Sequence, residues 1–480
     1  MDSYNCSKSP TYRKLARRAL GPSSFVVAAS VVLSPTAASS AAGDGVVPSS
    51  SDTPAITVGC SWFKQYDFVA NPKRNNFAYP ETNAVYWYAA GPAIPQPGDR
   101  IKIVGNYPDA RYFSIHAYDG LGFLLPRGSV LADYQFVPNR GSSNPFLSPT
   151  RIDRSIGFGG RYTAYVEYTF RPAIPSPNTI YRGPFISHHW PYNTLLAYRS
   201  YLPPDPSKPE GDFGLPKLYL VRAGLPDQPF AMPGDRSNPD FPACNLLWHI
   251  NLASPFVLPP NVTESHWTEP KLTVFSSAVG GLFSNKNNAY VAGETWKAHG
   301  PVVLLRGHAP AFTGQSPQQA DAKTQLRFWS ICQNEAVSTK VVQCIADRDA
   351  TLTNGFYHVV ISDSADRPLH ATTDNGFNWM PRGIHDPAKP SEDPGDLVVR
   401  NLLPSTQKGF PQAIQYISDP LNPISTMGDY DPQATYCDAA TFDRAYAANP
   451  GATPDDVFAA CQSMPPADAG IDSFAVERTH

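Results

Sequence analysis

Three short constellations in this chain carry residue types that can do chemistry. His116, Tyr118 and Asp119 stand at the end of an apolar strand candidate, just before Gly120. At such a strand end an imidazole can act as a general base or bind a metal, Asp119 can orient it, and Tyr118 can face a ligand. Ser187-His188-His189-Trp190 is framed by Gly183-Pro184 and Pro191. A loop there can aim both imidazoles at one zinc or copper ion, whereas a strand would send His188 and His189 to opposite faces. The third ligand would then come from His116 or His249. Trp190 and Tyr192, with Tyr86, Trp87 and Tyr88, are candidates for an aromatic platform that stacks on sugar faces or holds apolar ligands. Each has a plainer reading, because strand histidines and alternating strand aromatics commonly belong to a core. Asp119, Asp133, Glu167 and Glu335 are available for paired-carboxylate chemistry, which is set by separation in space. The chain lacks a Gly-x-Ser-x-Gly elbow, a His-Glu-x-x-His pair, a phosphate loop and a calcium loop. No cofactor motif is legible, so the cofactor stays open.

The elements that must position these residues come in two copies. Ile101 to Gly105, Arg111 to Ile115 and Leu131-Ala132-Asp133 match Val303 to Gly307, Arg327 to Ile331 and Ile345-Ala346-Asp347. Further on, Tyr162 to Val166 matches Tyr357 to Ile361, and Asn178, Arg182 and Gly183 match Asn378, Arg382 and Gly383. Arg199 and Leu202-Pro203 match Arg400 and Leu403-Pro404. The order of all six blocks is kept. The matched Arg and Asp positions read either as sites for an anion or sugar hydroxyl, or as buried ion pairs that pin a fold. The copies part where His116, Tyr118 and Asp119 align with Cys332, Asn334 and Glu335. That divergence makes the first copy the place to look for a local function.

The strand candidates Ala84 to Tyr88, Arg100 to Val104, Arg111 to Tyr118, Tyr162 to Phe170 and Thr194 to Tyr201 are punctuated by proline and glycine. With 480 residues, 51 prolines and 12 % aromatic residues, a mainly β chain is expected. The predicted architecture is two tandem β-sandwich or jelly-roll-like repeats with a short helical C-terminal tail. Residues 1–42 read as a signal peptide, with Arg13, Lys14, Arg17 and Arg18 before an apolar run that is too short to span a bilayer. Arg17-Arg18 also admits a twin-arginine route. Residues 43–57 form a flexible lead-in, 58–205 the first repeat, 206–284 a proline-rich connector, 285–410 the second repeat and 411–480 the tail. Within the tail, Ala439 to Ala448 and Pro454 to Met464 read as helices, the second capped by Thr453. Of seven cysteines, six lie beyond the leader and suggest disulfides. Local spacing favours Cys332–Cys344 across a hairpin and Cys437–Cys461 around the tail, leaving Cys60–Cys244. The net charge of −3 offers no footprint for nucleic acid.

The blocks Tyr107 to Ser114, Gln325 to Glu335 and Met427 to Tyr430 resemble a family of secreted actinobacterial proteins without an assigned function, over residues of about 58 to 440. Asn378-Trp379-Met380-Pro381 followed by Leu397 to Arg400 is similar to a bacterial β-rich domain of unknown function, with Met380 where leucine is usual. The resemblance implies export and a β fold, and it offers no catalytic residues. The expectation is an exported, disulfide-stabilised protein, secreted or held at the envelope, that binds a glycan, an apolar molecule or an envelope component. A secreted hydrolase acting on carbohydrate or ester, with or without a metal, and a structural envelope protein are the alternatives.

Overall fold

The computed structural model describes residues 56–67, 76, 78–120, 122–123, 125, 128–184, 194–249, 270, 272–275, 283–314, 324–336, 338–383, 394–449 and 451–464. The first half contributes strands β1 (Cys60–Asp67), β2 (Ala84–Ala90), β3 (Arg100–Asn106), β4 (Tyr112–Asp119), β5 (Val130–Ala132), β6 (Arg161–Glu167), β7 (Thr179–Tyr181), β8 (Thr194–Tyr201), β9 (Lys217–Val221) and β10 (Gln228–Pro229), then helix α1 (Phe241–His249). The second contributes β11 (Thr273–Phe275), β12 (Asn288–Trp296), β13 (Val302–His308), β14 (Leu326–Glu335), β15 (Val341–Ala346), β16 (Leu352–Thr353), β17 (Phe356–Ser362), β18 (Asn378–Pro381), β19 (Pro394–Pro404) and β20 (Gln433–Cys437). Helix α2 (Ile424–Met427) precedes β20, and α3 (Ala439–Ala447) and α4 (Pro454–Gln462) follow it. The chain is mainly β, as its alternating apolar segments require.

Each repeat is a sandwich. In the first, the sheet β1-β2-β8-β4-β5 packs on β10-β9-β3-β6-β7. Val85, Trp87, Phe113, Ile115, Leu196 and Tyr198 of one sheet meet Ile101, Ile103, Tyr162, Ala164, Val166 and Leu218 of the other. The second has β11-β12-β19-β14-β15 facing β16-β17-β13-β20, with β18 parallel to β17. The matched blocks thus occupy matched strands. Both copies keep a glycine on the strand before the matched tyrosine for the same steric reason. A Cβ at Gly105 or Gly307 would lie 2.5 or 2.2 Å from the hydroxyl of Tyr162 or Tyr357. Asn178 and Asn378 likewise play one part, each bridging two backbone segments through its amide.

Two stretches join the sandwiches more closely than their composition suggests. Within 206–284, β9 hydrogen-bonds to β3 and α1 covers the outer face of the first sheet, so the connector completes the first sandwich. Its prolines spare β9, whose amides are needed for the ladder; Pro229 falls in the edge strand β10 and Pro242 in the first turn of α1. In the tail, β20 pairs with β13, and α3 and α4 cover Val302, Leu304 and Val360. Thr453 caps α4 in a reciprocal box with Asp456. All three expected disulfides form: Cys60–Cys244, Cys332–Cys344 and Cys437–Cys461.

The repeats exchange partners at their seam. Arg327 of the second donates to Asp133 of the first at 2.7 Å, and Arg111 of the first pairs with Asp347 of the second. Each aspartate also accepts an amide from its own repeat, Phe113 N–H for Asp133 and Trp329 N–H for Asp347. Tyr112, Ala132, Tyr201 and Leu202 pack there against their counterparts Phe328, Ala346, Leu402 and Leu403. Both leucines that end the matched strands adopt a left-handed backbone, φ +48° and +46°. Arg327 and Asp133 are fully enclosed. Burial pushes the carboxyls of Asp133 and Asp347 up to about 6, against the pull of their arginines. Removing one partner strands a charge. Arg327→Met is expected to cost about 3–5 kcal/mol in urea unfolding, and adding Asp133→Asn should recover most of that loss. Equal losses in the single and double variants would show that the pair does not act as a unit.

Candidate functional site

The outer faces of the two front sheets hold the polar clusters. Each is covered by the lead-in of the other repeat. Residues 78–83, before β2, cross onto the second repeat, where Tyr79 N–H donates to Thr339 O at 2.9 Å. Residues 283–287, before β12, cross onto the first, where Phe283 N–H donates to Gly122 O at 2.9 Å. The matched arginines receive these crossings: Arg400 Nη2 donates to Tyr79 O and Arg199 Nη2 to Phe283 O, both at 2.6 Å. Each guanidinium also stands over a matched tyrosine, Tyr290 or Tyr86.

In the second repeat this cluster is closed. Arg400 Nη1 faces Glu81 at 3.3 Å and also contacts Cys332 Sγ, while Ser330 Oγ donates to the same Glu81 oxygen. Glu81, Cys332 and Cys344 are close enough to suggest metal ligands. The two sulfurs are joined as a disulfide, however, so they offer no thiolates.

In the first repeat the same positions hold Arg199, Asn285 and Ser114, with His116 in the place of Cys332. His116 is fully buried; its Nε2 accepts Lys286 N–H at 3.2 Å and its Nδ1 lies 3.3 Å from Ser114 Oγ. Burial, then the charges of Arg199 and Lys286, hold this imidazole well below its ordinary range. Lys286 Nζ donates to Leu125 O and Ser129 Oγ. Tyr118 is also buried, its hydroxyl set between Arg199 Nη2 and Ser284 O. Tyr118 therefore serves the crossing and is no exposed platform. Trp87 and Tyr88 are buried as well.

The expected pairing of Asp119 with His116 does not form. Three residues apart on β4, they point to opposite faces. Asp119 instead accepts Phe123 N–H at 2.9 Å and lies near Arg182. His188, His189, Trp190 and Tyr192 lie outside the described residues. Glu81, Asn285 and Lys286 are not among the residues that the sequence marks as candidates. A signal for them exists in the lead-ins, where Glu81-Thr82-Asn83 and Asn285-Lys286-Asn287 stand before Tyr86 and Tyr290 at one spacing.

A cavity of about 250 Å³, partly open to solvent, lies on the same side of the first repeat. A β-bulge in β1 makes it, because the register slips between Cys60 and Lys64 and Trp62 takes φ +34°. The slip turns Phe63 and Tyr66 to one outer face although they are three residues apart. Phe63, Ala231, Pro233, Gly234, Phe241 and Cys244 wall the cavity, with Ser61 and Asn245 as its polar groups.

No protein-family model and no curated protein matches the sequence. Among solved structures, the chain is similar to an uncharacterised protein from Burkholderia cenocepacia at TM-score 0.42 and 12 % identity, covering 81 % of this chain and 83 % of that one. It is also similar to the VPA0106 protein from Vibrio parahaemolyticus at TM-score 0.34 and 11 % identity, covering 77 % and 93 %.

One carboxyl near the second cluster titrates in a useful range. Asp396 pairs in register with Glu294 on β12 and meets the Tyr79 hydroxyl. Burial and Glu294 push it up to about 7, while Tyr79 and Arg400 oppose the rise. An unfolded aspartate titrates near ~3.9, so between the two values the folded chain binds a proton that the unfolded chain does not. This contribution to stability is present at low pH and is lost as pH rises towards about 7. Asp396→Asn should therefore leave stability unchanged at acid pH and raise it above neutrality, measured by urea unfolding across the range. Asp133 and Asp347 remain in both chains, so the difference between them isolates Asp396.

Proposed function

We propose that this chain is an exported binding protein, stapled by three disulfides, whose first repeat takes a small apolar molecule in the cavity beside Cys60–Cys244. The observation that carries the reading is that cavity itself: Phe63, Phe241 and Ala231 line one part of it, Ser61 and Asn245 give it polar groups, and a bulged strand shapes it. Such a lining removes an apolar ligand from water and leaves Ser61 and Asn245 to orient it. At about 250 Å³ the space suits a ligand smaller than those of the roughly 300–1,000 Å³ sites that take drug-sized molecules.

The basic start and apolar run of the leader support export, as do the disulfides, which persist in oxidising compartments. The hydrolase alternative is less well supported by the described residues. His116 has both ring nitrogens engaged and no surface exposure, so it is not itself free to act as a base on a substrate.

Saturation-transfer NMR with indole as the probe tests the binding reading on the purified chain. The wild type should show transfer to the indole ring, and Asn245→Trp, at an exposed helix position on the rim, should abolish it while leaving Tm unchanged. Absence of transfer in the wild type, or equal transfer in Asn245→Trp, would overturn the reading.

A further inference from the structure

The duplication supplies an internal control for one charge. In the second repeat, the buried guanidinium of Arg400 has a carboxylate beside it. Glu81 Oε1 accepts Asn83 N–H at 3.1 Å, and Oε2 accepts a hydrogen bond from Ser330 Oγ and faces Arg400. In the first repeat Asn285 stands in that place. Its Oδ1 accepts Asn287 N–H at 3.0 Å, reproducing the first of these bonds. That bond engages Oδ1, so the amide atom left over is Nδ2, a donor, where Glu81 offers a carboxylate oxygen.

The consequence is a buried spot with more donors than acceptors. Arg199 is 1 % exposed, and its Nε and Nη1 find no acceptor among the described residues. Asn285 Nδ2 is buried and equally without one. Ser114 pairs in register with Arg199 beside them, its hydroxyl shared between His116 Nδ1 and the Tyr112 hydroxyl. An uncompensated buried cation is costly, and stranded donors add to that cost. Water supplies acceptor lone pairs but no charge.

We propose that this spot holds a small monovalent anion of the halide class, bound by Arg199 and Asn285 where the second repeat uses the carboxylate of Glu81. The anion supplies the charge that Asn285 lacks and accepts from both groups. It is separate from the cavity beside Cys60–Cys244 and does not depend on what that cavity binds.

Thermal unfolding of the full chain at constant ionic strength tests this, comparing sodium chloride with sodium gluconate, whose chain is too large to be enclosed. The wild-type Tm should be higher in chloride and should rise with the logarithm of its concentration. Asn285→Glu rebuilds the arrangement of the second repeat; its Tm in gluconate should exceed that of the wild type, and its chloride dependence should vanish. If Asn285→Glu does not fold, bromide-soaked crystals of the wild type decide the matter, with an anomalous peak expected beside Arg199. Equal wild-type Tm in both salts, an unchanged chloride response in Asn285→Glu, or no bromide peak would each overturn the proposal. A rise in sodium formate without one in chloride would overturn the halide assignment in favour of a small carboxylate.

Discussion

The exchange of charges across the seam is the constraint on which the rest depends. Asp133 is enclosed in the first repeat, yet its arginine comes from the second; Asp347 and Arg111 repeat the arrangement in reverse. Neither sandwich can complete its own electrostatics. The seam is therefore the intramolecular analogue of a two-fold dimer interface, in which one patch meets its own copy. The swapped lead-ins reinforce it, because each front sheet is roofed by residues that belong to the other half. The disulfides then act on a body already tied together by charge and by crossing.

Within this near-symmetry the two halves have been free to differ only where symmetry is not needed to hold them. The second repeat fills its arginine cluster with Glu81 and a cystine. The first keeps His116, Lys286 and Asn285 there, a set with more positive charge and fewer acceptors. The helices also divide the work: α1 roofs the first front sheet, whereas α3 and α4 roof the back sheet of the second. The open cavity occurs where α1 and the bulged β1 meet imperfectly.

Much of this architecture was legible in the residues. The strand Thr194–Tyr201 and both tail helices lie where alternation, proline and capping placed them. Arg111 and Arg327 proved to form buried ion pairs with Asp347 and Asp133, as charged residues inside apolar strands suggest, whereas Arg199 and Arg400 hold the crossing segments. The register in which they pair was not legible, because a sequence repeat does not say whether Arg327 meets Asp347 or Asp133. The role of the connector was hidden by composition, since loop prolines masked the short β9 between them. His116 looked like a chemical residue because its strand ends beside a loop. Its enclosure comes from Lys286 and its neighbours, far away in sequence, whose crossing no local pattern announces. The bulge in β1 that opens the cavity was likewise invisible, as it depends on pairing with β2.

The crossed pairing also sets a timetable. A chain delivered from its N-terminus presents Asp133 well before Arg327, and closes β20 onto β13 only when residue 437 has emerged. Until then the first sandwich holds an aspartate whose counterion has not arrived. A protonated or solvated carboxyl is the only alternative during that interval, so the half-made chain stays looser than the finished one. Contacts of such long sequence separation make folding slow and place the commitment late. A protein built in this way is better suited to fold after it has been released in full than while it is still being passed through a pore.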